Sequence, residues 1–174
     1  MTHASTRGKI RHPLGGNTSL FMCQSILDLI GNTPLVSLKH IPEKGSAAVL
    51  GKLESRNPTG SIKDRIALAM IRDAEETGKL LPGHTLVEPT IGNSGIALAM
   101  VAAVKRYRLI IVVPEDAPTE RKRLLAYLGA DLHMTSPLEG MGGAMRATEH
   151  LVQENTTYVT LGQFNNPANP RAHG

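Results

Sequence analysis

The stretch "NPTGSIKDR", Asn57 to Arg65, sets Lys63 just past a turn and at the start of a helical pattern. Pro58 fixes φ, Thr59-Gly60 turns the chain, and Ser61 is an N-cap candidate with Asp64 at the capping-box position. A helix start carries about half a positive charge and is a poor place for an ammonium group. A free amine there, partly withdrawn from water, is the nucleophile of Schiff-base chemistry and a base for proton removal. The plain alternative is a solvated surface lysine, and the position alone does not choose between the two.

A second stretch, "VEPTIGNSGIALA" from Val87 to Ala99, reads as a strand, a glycine-rich turn and an apolar helix. Backbone N–H groups of Gly92 to Gly95 would point outward at the helix start and form a site for a carboxylate or a phosphate. Asn93 can equally be a turn residue or N-cap that needs no ligand. A nucleotide-binding Rossmann unit competes for this turn, since Glu115 and Asp116 follow the next strand at about the 20-residue offset of that motif. The glycine spacing argues against it: Gly92-x-x-Gly95 lacks the preceding Gly-x that lets the chain approach a pyrophosphate, and Pro114 interrupts the strand end. The Walker pattern is absent, and "GMGG" at Gly140 to Gly143 reads as a loose helix start rather than a phosphate loop.

Beyond residue 45, short β-rich runs alternate with longer helical patterns. Strands are predicted at 48–54, 85–89, 109–114, 130–135 and 157–161, and helices at 61–77, 94–107, 119–128 and 142–154. The segments between the strands are long enough for parallel crossovers, so the expected class is α/β, a parallel twisted sheet with flanking helices. In the first helix Ile62, Ile66, Ala69, Met70 and Ala74 recur at helical spacing, with Lys63 off the centre of the stripe and Gly78 as the stop. The helix after Asn93 is apolar almost all round until Lys105, which predicts burial between layers.

The 174 residues, 41% hydrophobic, are enough for one globular domain with a buried core. The longest apolar run, Ile96 to Val104, is far too short to cross a bilayer, so no membrane partner is expected. Cys23 is the only cysteine, which rules out an intrachain disulfide and a cysteine metal cluster and fits a reducing, cytoplasmic setting. The net charge of +4 owes three basic residues to positions 1–21, where there is no acid; the rest holds 16 basic against 15 acidic residues. With only 3% aromatic residues and no basic stripe, nucleic acid is not an expected partner either. Residues 1–21 are polar and lack the apolar stretch of a secretory signal, so they are expected to be a disordered leader. A transit peptide shares their lack of acid but would need an amphipathic pattern, and Met22 is an alternative first residue.

"LDLIGNTPLVSL" (Leu27 to Leu38), "KLESRNPTGSIKDR" (Lys52 to Arg65), "EPTIGNSGIALAM" (Glu88 to Met100) and "QFNNPANPRAH" (Gln163 to His173) stand in the order and spacing of the cysteine synthase family. The chain resembles these pyridoxal 5'-phosphate enzymes of fold type II from residue 22 to the end, with the nearest likeness to the B type. The resemblance implies that Lys63 bonds the cofactor through an imine and that Asn93 hydrogen-bonds the cofactor's ring hydroxyl. It implies that Thr90, Gly92 and Ser94, with Gln163, hold the carboxylate of an amino-acid substrate. The implied reaction replaces the β-substituent of O-acetylserine or O-phosphoserine by a sulfur nucleophile, giving cysteine or a close relative. A homodimer is the implied full-length assembly.

Two departures from the family pattern stand out. Ile91 occupies a position where the pattern usually has serine, whose hydroxyl faces the substrate, and Ser94 replaces threonine. The chain also ends about halfway through the usual family length, before the glycine- and threonine-rich cup for the cofactor phosphate and the residue that meets the pyridine nitrogen. The expected division is a leader at 1–21, the start of a large cofactor domain at 22–55, a small α/β domain at 56–156, and a return to the incomplete large domain at 157–174. An inactive half-domain acting in assembly is the alternative from another class. Cystathionine β-synthase and amino-acid dehydratases are the neighbouring enzyme readings. Alone, the 174 residues are expected to bind the cofactor weakly.

Overall fold

The computed structural model describes residues 23–43 and 45–173, so the expectation for residues 1–21 lies outside the described part. The strands are β1 (Leu35–Ser37), β2 (Leu50–Lys52), β3 (Thr85–Pro89), β4 (Arg108–Pro114), β5 (Asp131–Thr135) and β6 (Tyr158–Val159). The α-helices are α1 (Lys63–Glu76), α2 (Asn93–Lys105), α3 (Thr119–Tyr127), α4 (Gly140–Glu154) and the short α5 (Ala168–Arg171).

The expected α/β class holds. β5-β4-β3-β6 form a four-stranded sheet in that order, with every neighbouring pair parallel. The chain moves outward from β3 through α2 to β4 and through α3 to β5, then returns by way of α4 to lay β6 on the other side of β3. Strand order therefore reverses around β3. In open α/β sheets such a reversal, at the carboxyl ends of the strands, is where ligands bind.

Side chains alternate across the sheet with the two-residue period of a strand. Leu86, Leu109, Ile111 and Val113 join the larger core with α1, α2 and Leu125 of α3, while Val87 and Val112 meet Ala144 of α4 in a smaller cluster. α1 contributes Ile66, Met70 and Ile71, each almost wholly removed from water, which stabilises the fold by about 1.5 to 3 kcal/mol apiece. It ends where Gly78 takes φ +72°, a left-handed conformation that favours glycine. α2 is buried on nearly every side, as its composition predicts, because it packs between α1 and β4.

The structure corrects three local expectations. The strand predicted at 48–54 spans only Leu50–Lys52 and is not part of the parallel sheet. It pairs antiparallel with β1, from Leu35↔Lys52 to Ser37↔Leu50. β1 is too short to show a period, and its partner, the next strand in the chain, follows only after a long connection without a tight-turn signal. The helix predicted from residue 61 begins at Lys63, and no reciprocal capping box forms. The Ser61 hydroxyl does accept from the Lys63 N–H at 3.1 Å, but Asp64 turns back to Thr59, because Gly60 at φ +80° folds that residue over the helix start. The last strand covers 158–159 rather than 157–161.

Candidate active site

Lys63 opens α1 at the end of a tightly held turn. The Gly60 N–H donates to the Asn57 carbonyl at 2.8 Å. Asp64, fully buried, accepts from the Thr59 N–H at 2.7 Å and from the Thr59 hydroxyl. The backbone is thus fixed on both sides of Lys63 while its side chain stays half-buried. Among the described residues no carboxylate pairs with its ammonium.

Behind this turn lies a network that motif reading alone does not disclose. Arg65 forks onto Glu54, with Nε to Oε2 at 2.8 Å and Nη2 to Oε1 at 2.9 Å, and Nη2 also donates to the Thr33 hydroxyl at 3.1 Å. Asn57 donates from Nδ2 to Glu54 Oε2 at 2.9 Å and accepts from the Gly31 N–H at 2.8 Å. Hydrogen bonds led by the one from Arg65 hold the Glu54 carboxyl at a pKa of about 2, against an ordinary 4.5. The N-terminal segment is thereby locked to the start of α1. The sequence signal was Arg65 itself, a cation in the first turn of a helix, where it needs an anionic partner.

The turn from Thr90 to Ser94 leaves the carboxyl end of β3. Thr90 and Ser94 are buried, Gly92 and Asn93 exposed, and Ile91 packs its branch against the larger core. Gly92 has an ordinary extended backbone, and a Cβ there would meet open space. The glycine demanded by packing is Gly95, whose Cβ would lie 2.9 Å from Thr90 Cγ2 and 3.4 Å from Leu125 Cδ2. No side chain caps α2, so its first N–H groups remain available to an anion in front of Gly92.

Gln163 follows β6, the neighbour of β3, and so approaches the same end of the sheet. It lines a cavity of about 180 Å³ with Glu88, Pro89, Thr148, Thr160 and Phe164 among others. Lys63, Thr90, Gly92, Asn93 and Ser94 do not line it. The six candidate residues are therefore arranged by three elements: Lys63 by α1, four residues by the β3–α2 turn, and Gln163 by the loop after β6. Asn169 steadies that loop by donating to the Gln163 carbonyl at 2.7 Å.

A lysine at a tightly held helix start and an uncapped glycine turn thus stand in one α/β body. The chain belongs to the pyridoxal-phosphate dependent enzyme family, whose sequence profile matches residues 26–174. It is 51% identical over 145 residues to cysteine synthase A of Escherichia coli strain K12, covering 83% of this chain and 44% of that protein. It is 48% identical over 149 residues to cysteine synthase B of Pseudomonas aeruginosa, covering 86% of this chain and 50% of that one. The crystal structure of the cysteine synthase of Entamoeba histolytica superposes with a TM-score of 0.83 at 36% identity, over 95% of this chain and 49% of that chain. The chain thus spans about half the length of the relatives it matches.

The residues present suit the cofactor. They offer a primary amine without a carboxylate partner among the described residues, a neutral amide at an uncapped helix start, and open space in front of Gly92.

Proposed function

We propose that this chain carries the lysine-bearing half of a cysteine synthase, an enzyme that exchanges the β-substituent of O-acetylserine or O-phosphoserine for a sulfur nucleophile. One observation carries the reading: the Thr90–Ser94 turn and Gln163 leave the carboxyl ends of two adjacent parallel strands where strand order reverses, in a chain about half identical to cysteine synthases.

In this reading Lys63 Nζ would hold the cofactor, and its free amine would take the α-proton of the substrate. Asn93 donates its amide N–H to the cofactor's ring oxygen. Thr90, Gly92 and Ser94 offer hydroxyl and backbone donors to the substrate carboxylate at the positive end of α2, and Gln163 supplies its side-chain amide from the other strand. Pyridoxal phosphate, when bound, supplies the electron sink for the carbanion that proton removal leaves. The division of the chain at residues 55 and 156, a full-length homodimer and a cytoplasmic location belong to the same proposal. Among the described residues no helix is long and apolar enough to cross a membrane.

Borohydride reduction of the cofactor-loaded protein followed by peptide mapping tests the central assignment. The cofactor label is expected on Lys63. A label on any other lysine overturns the assignment.

A further inference from the structure

Glu88 is a buried carboxyl that the proposed reaction leaves without a task. It sits on β3, two residues before Thr90, and is 2% exposed. Its Oε1 accepts from the Thr160 hydroxyl at 3.1 Å, from the Gly162 N–H at 3.2 Å and from the Leu161 N–H. All three donors lie in the few residues between β6 and Gln163. The next links belong to the same loop: Asn166 Nδ2 donates to the Leu161 carbonyl at 2.8 Å, and Gly162 takes φ +65°. Strand pairing between β3 and β6 ends at Leu86↔Val159, so beyond that register the ladder no longer spaces the two chains. Beyond it the Glu88 carboxyl bridges β3 to the loop after β6.

We infer that Glu88 is a positioning residue for Gln163, setting the distance between the Thr90–Ser94 turn and Gln163 and so the width of the clamp for the substrate carboxylate. The inference rests on the proposed role of Gln163. A buried carboxyl would be a costly way merely to join two loops, since removing it from water opposes its charged form. Burial indeed pushes the Glu88 carboxyl above its ordinary range, against the pull of the three hydrogen bonds and of nearby Lys79. What the costly group supplies is a single oxygen that gathers three donors at one point. Gln163 is the next residue after the last of them.

The test uses the full-length protein loaded with pyridoxal phosphate, with O-acetylserine as the donor. Glu88→Asp withdraws the oxygen by one methylene, and Glu88→Ala removes it. Each is expected to raise KM for the donor about tenfold or more while kcat and cofactor affinity stay within about twofold, the pattern of lost ground-state positioning. Glu88→Gln keeps an acceptor oxygen in place and is expected to restore KM to within about threefold. Unchanged KM in both Asp and Ala variants overturns the inference. So does a parallel loss of cofactor affinity and kcat, which would mark a general effect on the fold. The side-chain amide resonance of Gln163, read without cofactor, separates this inference from the proposed reaction. It moves in Glu88→Asp if Glu88 positions Gln163, and stays in place if it does not. Wild-type protein that neither binds the cofactor nor turns over overturns the reaction, and the resonance then decides the Glu88 inference by itself.

Discussion

Arg121 Nη1 donates to Asn93 Oδ1 at 3.2 Å, tying α3 to the first residue of α2. Because the amide oxygen is engaged, the NH₂ end of Asn93 is the end left to meet a ligand. That is the polarity the role proposed for Asn93 requires.

Arg121→Ala is therefore expected to lower cofactor affinity about threefold to tenfold, the range for one hydrogen bond at an exposed site, with the fold unchanged. Cofactor titration by absorbance measures it. Unaltered affinity would mean that Asn93 holds its orientation without Arg121.

The two glycines of the turn should respond oppositely to alanine. Gly95→Ala forces a Cβ against Thr90 and Leu125 and is expected to cost about 1 to 3 kcal/mol of stability. Gly92→Ala places its Cβ in open space and is expected to leave stability within about 0.5 kcal/mol while weakening carboxylate binding. Urea unfolding and amino-acid titration of the pair check both halves.

Glu54 predicts a pH signature. Its carboxyl titrates near pH 2 in the folded chain against an ordinary 4.5, so the folded state binds fewer protons between those values. The stabilisation is present above about pH 4.5 and is lost as pH falls toward 2. Both Glu54 and Arg65 keep 18% side-chain exposure, which discounts the effect to about 1 to 2 kcal/mol. Glu54→Gln should be less stable than wild type by that amount at pH 7, and the gap should close as the pH is lowered through this window. A gap constant from pH 7 to pH 2.5 contradicts the assignment.

Ile91→Ser trades packing for a hydroxyl. The Ile91 branch rests half-buried on the core, so the change is expected to cost about 1 kcal/mol of stability. A hydroxyl facing the substrate carboxylate would be worth about 1.5 to 3 kcal/mol, or roughly tenfold to a hundredfold in efficiency with O-acetylserine or O-phosphoserine. Steady-state kinetics of the full-length variant decides it, and unchanged efficiency rejects the serine-like role.

The long elements were legible because their patterns are local. α1 repeats apolar residues at helical spacing, α2 is apolar almost all round over thirteen residues, β3 and β4 are compact apolar runs, and Gly78 marks a stop by its conformation alone. β1, with three residues, has no period to read. Asp64 was assigned the wrong partner because Gly60 decides which backbone group lies above it. The candidate site divides the same way. Lys63, Asn93 and Gln163 stand inside motifs that can be read in line, whereas Arg121 meets Asn93 across 28 residues and Glu88 meets Leu161 across 73. Such pairs depend on strand order, and strand order is not written in any short stretch.

The position of β6 also has a kinetic consequence. β3, β4 and β5 are successive in the chain and can assemble by closing loops of one crossover each, but β6 must find β3 after the whole intervening segment has been made. Contacts of such high sequence separation raise contact order and form slowly, after the entropy of closing a long loop has been overcome. The loop bearing Gln163 is then the last part of the sheet to settle. Substitutions at Thr160 or Glu88 should accordingly leave the folding rate nearly untouched and act mainly by hastening unfolding.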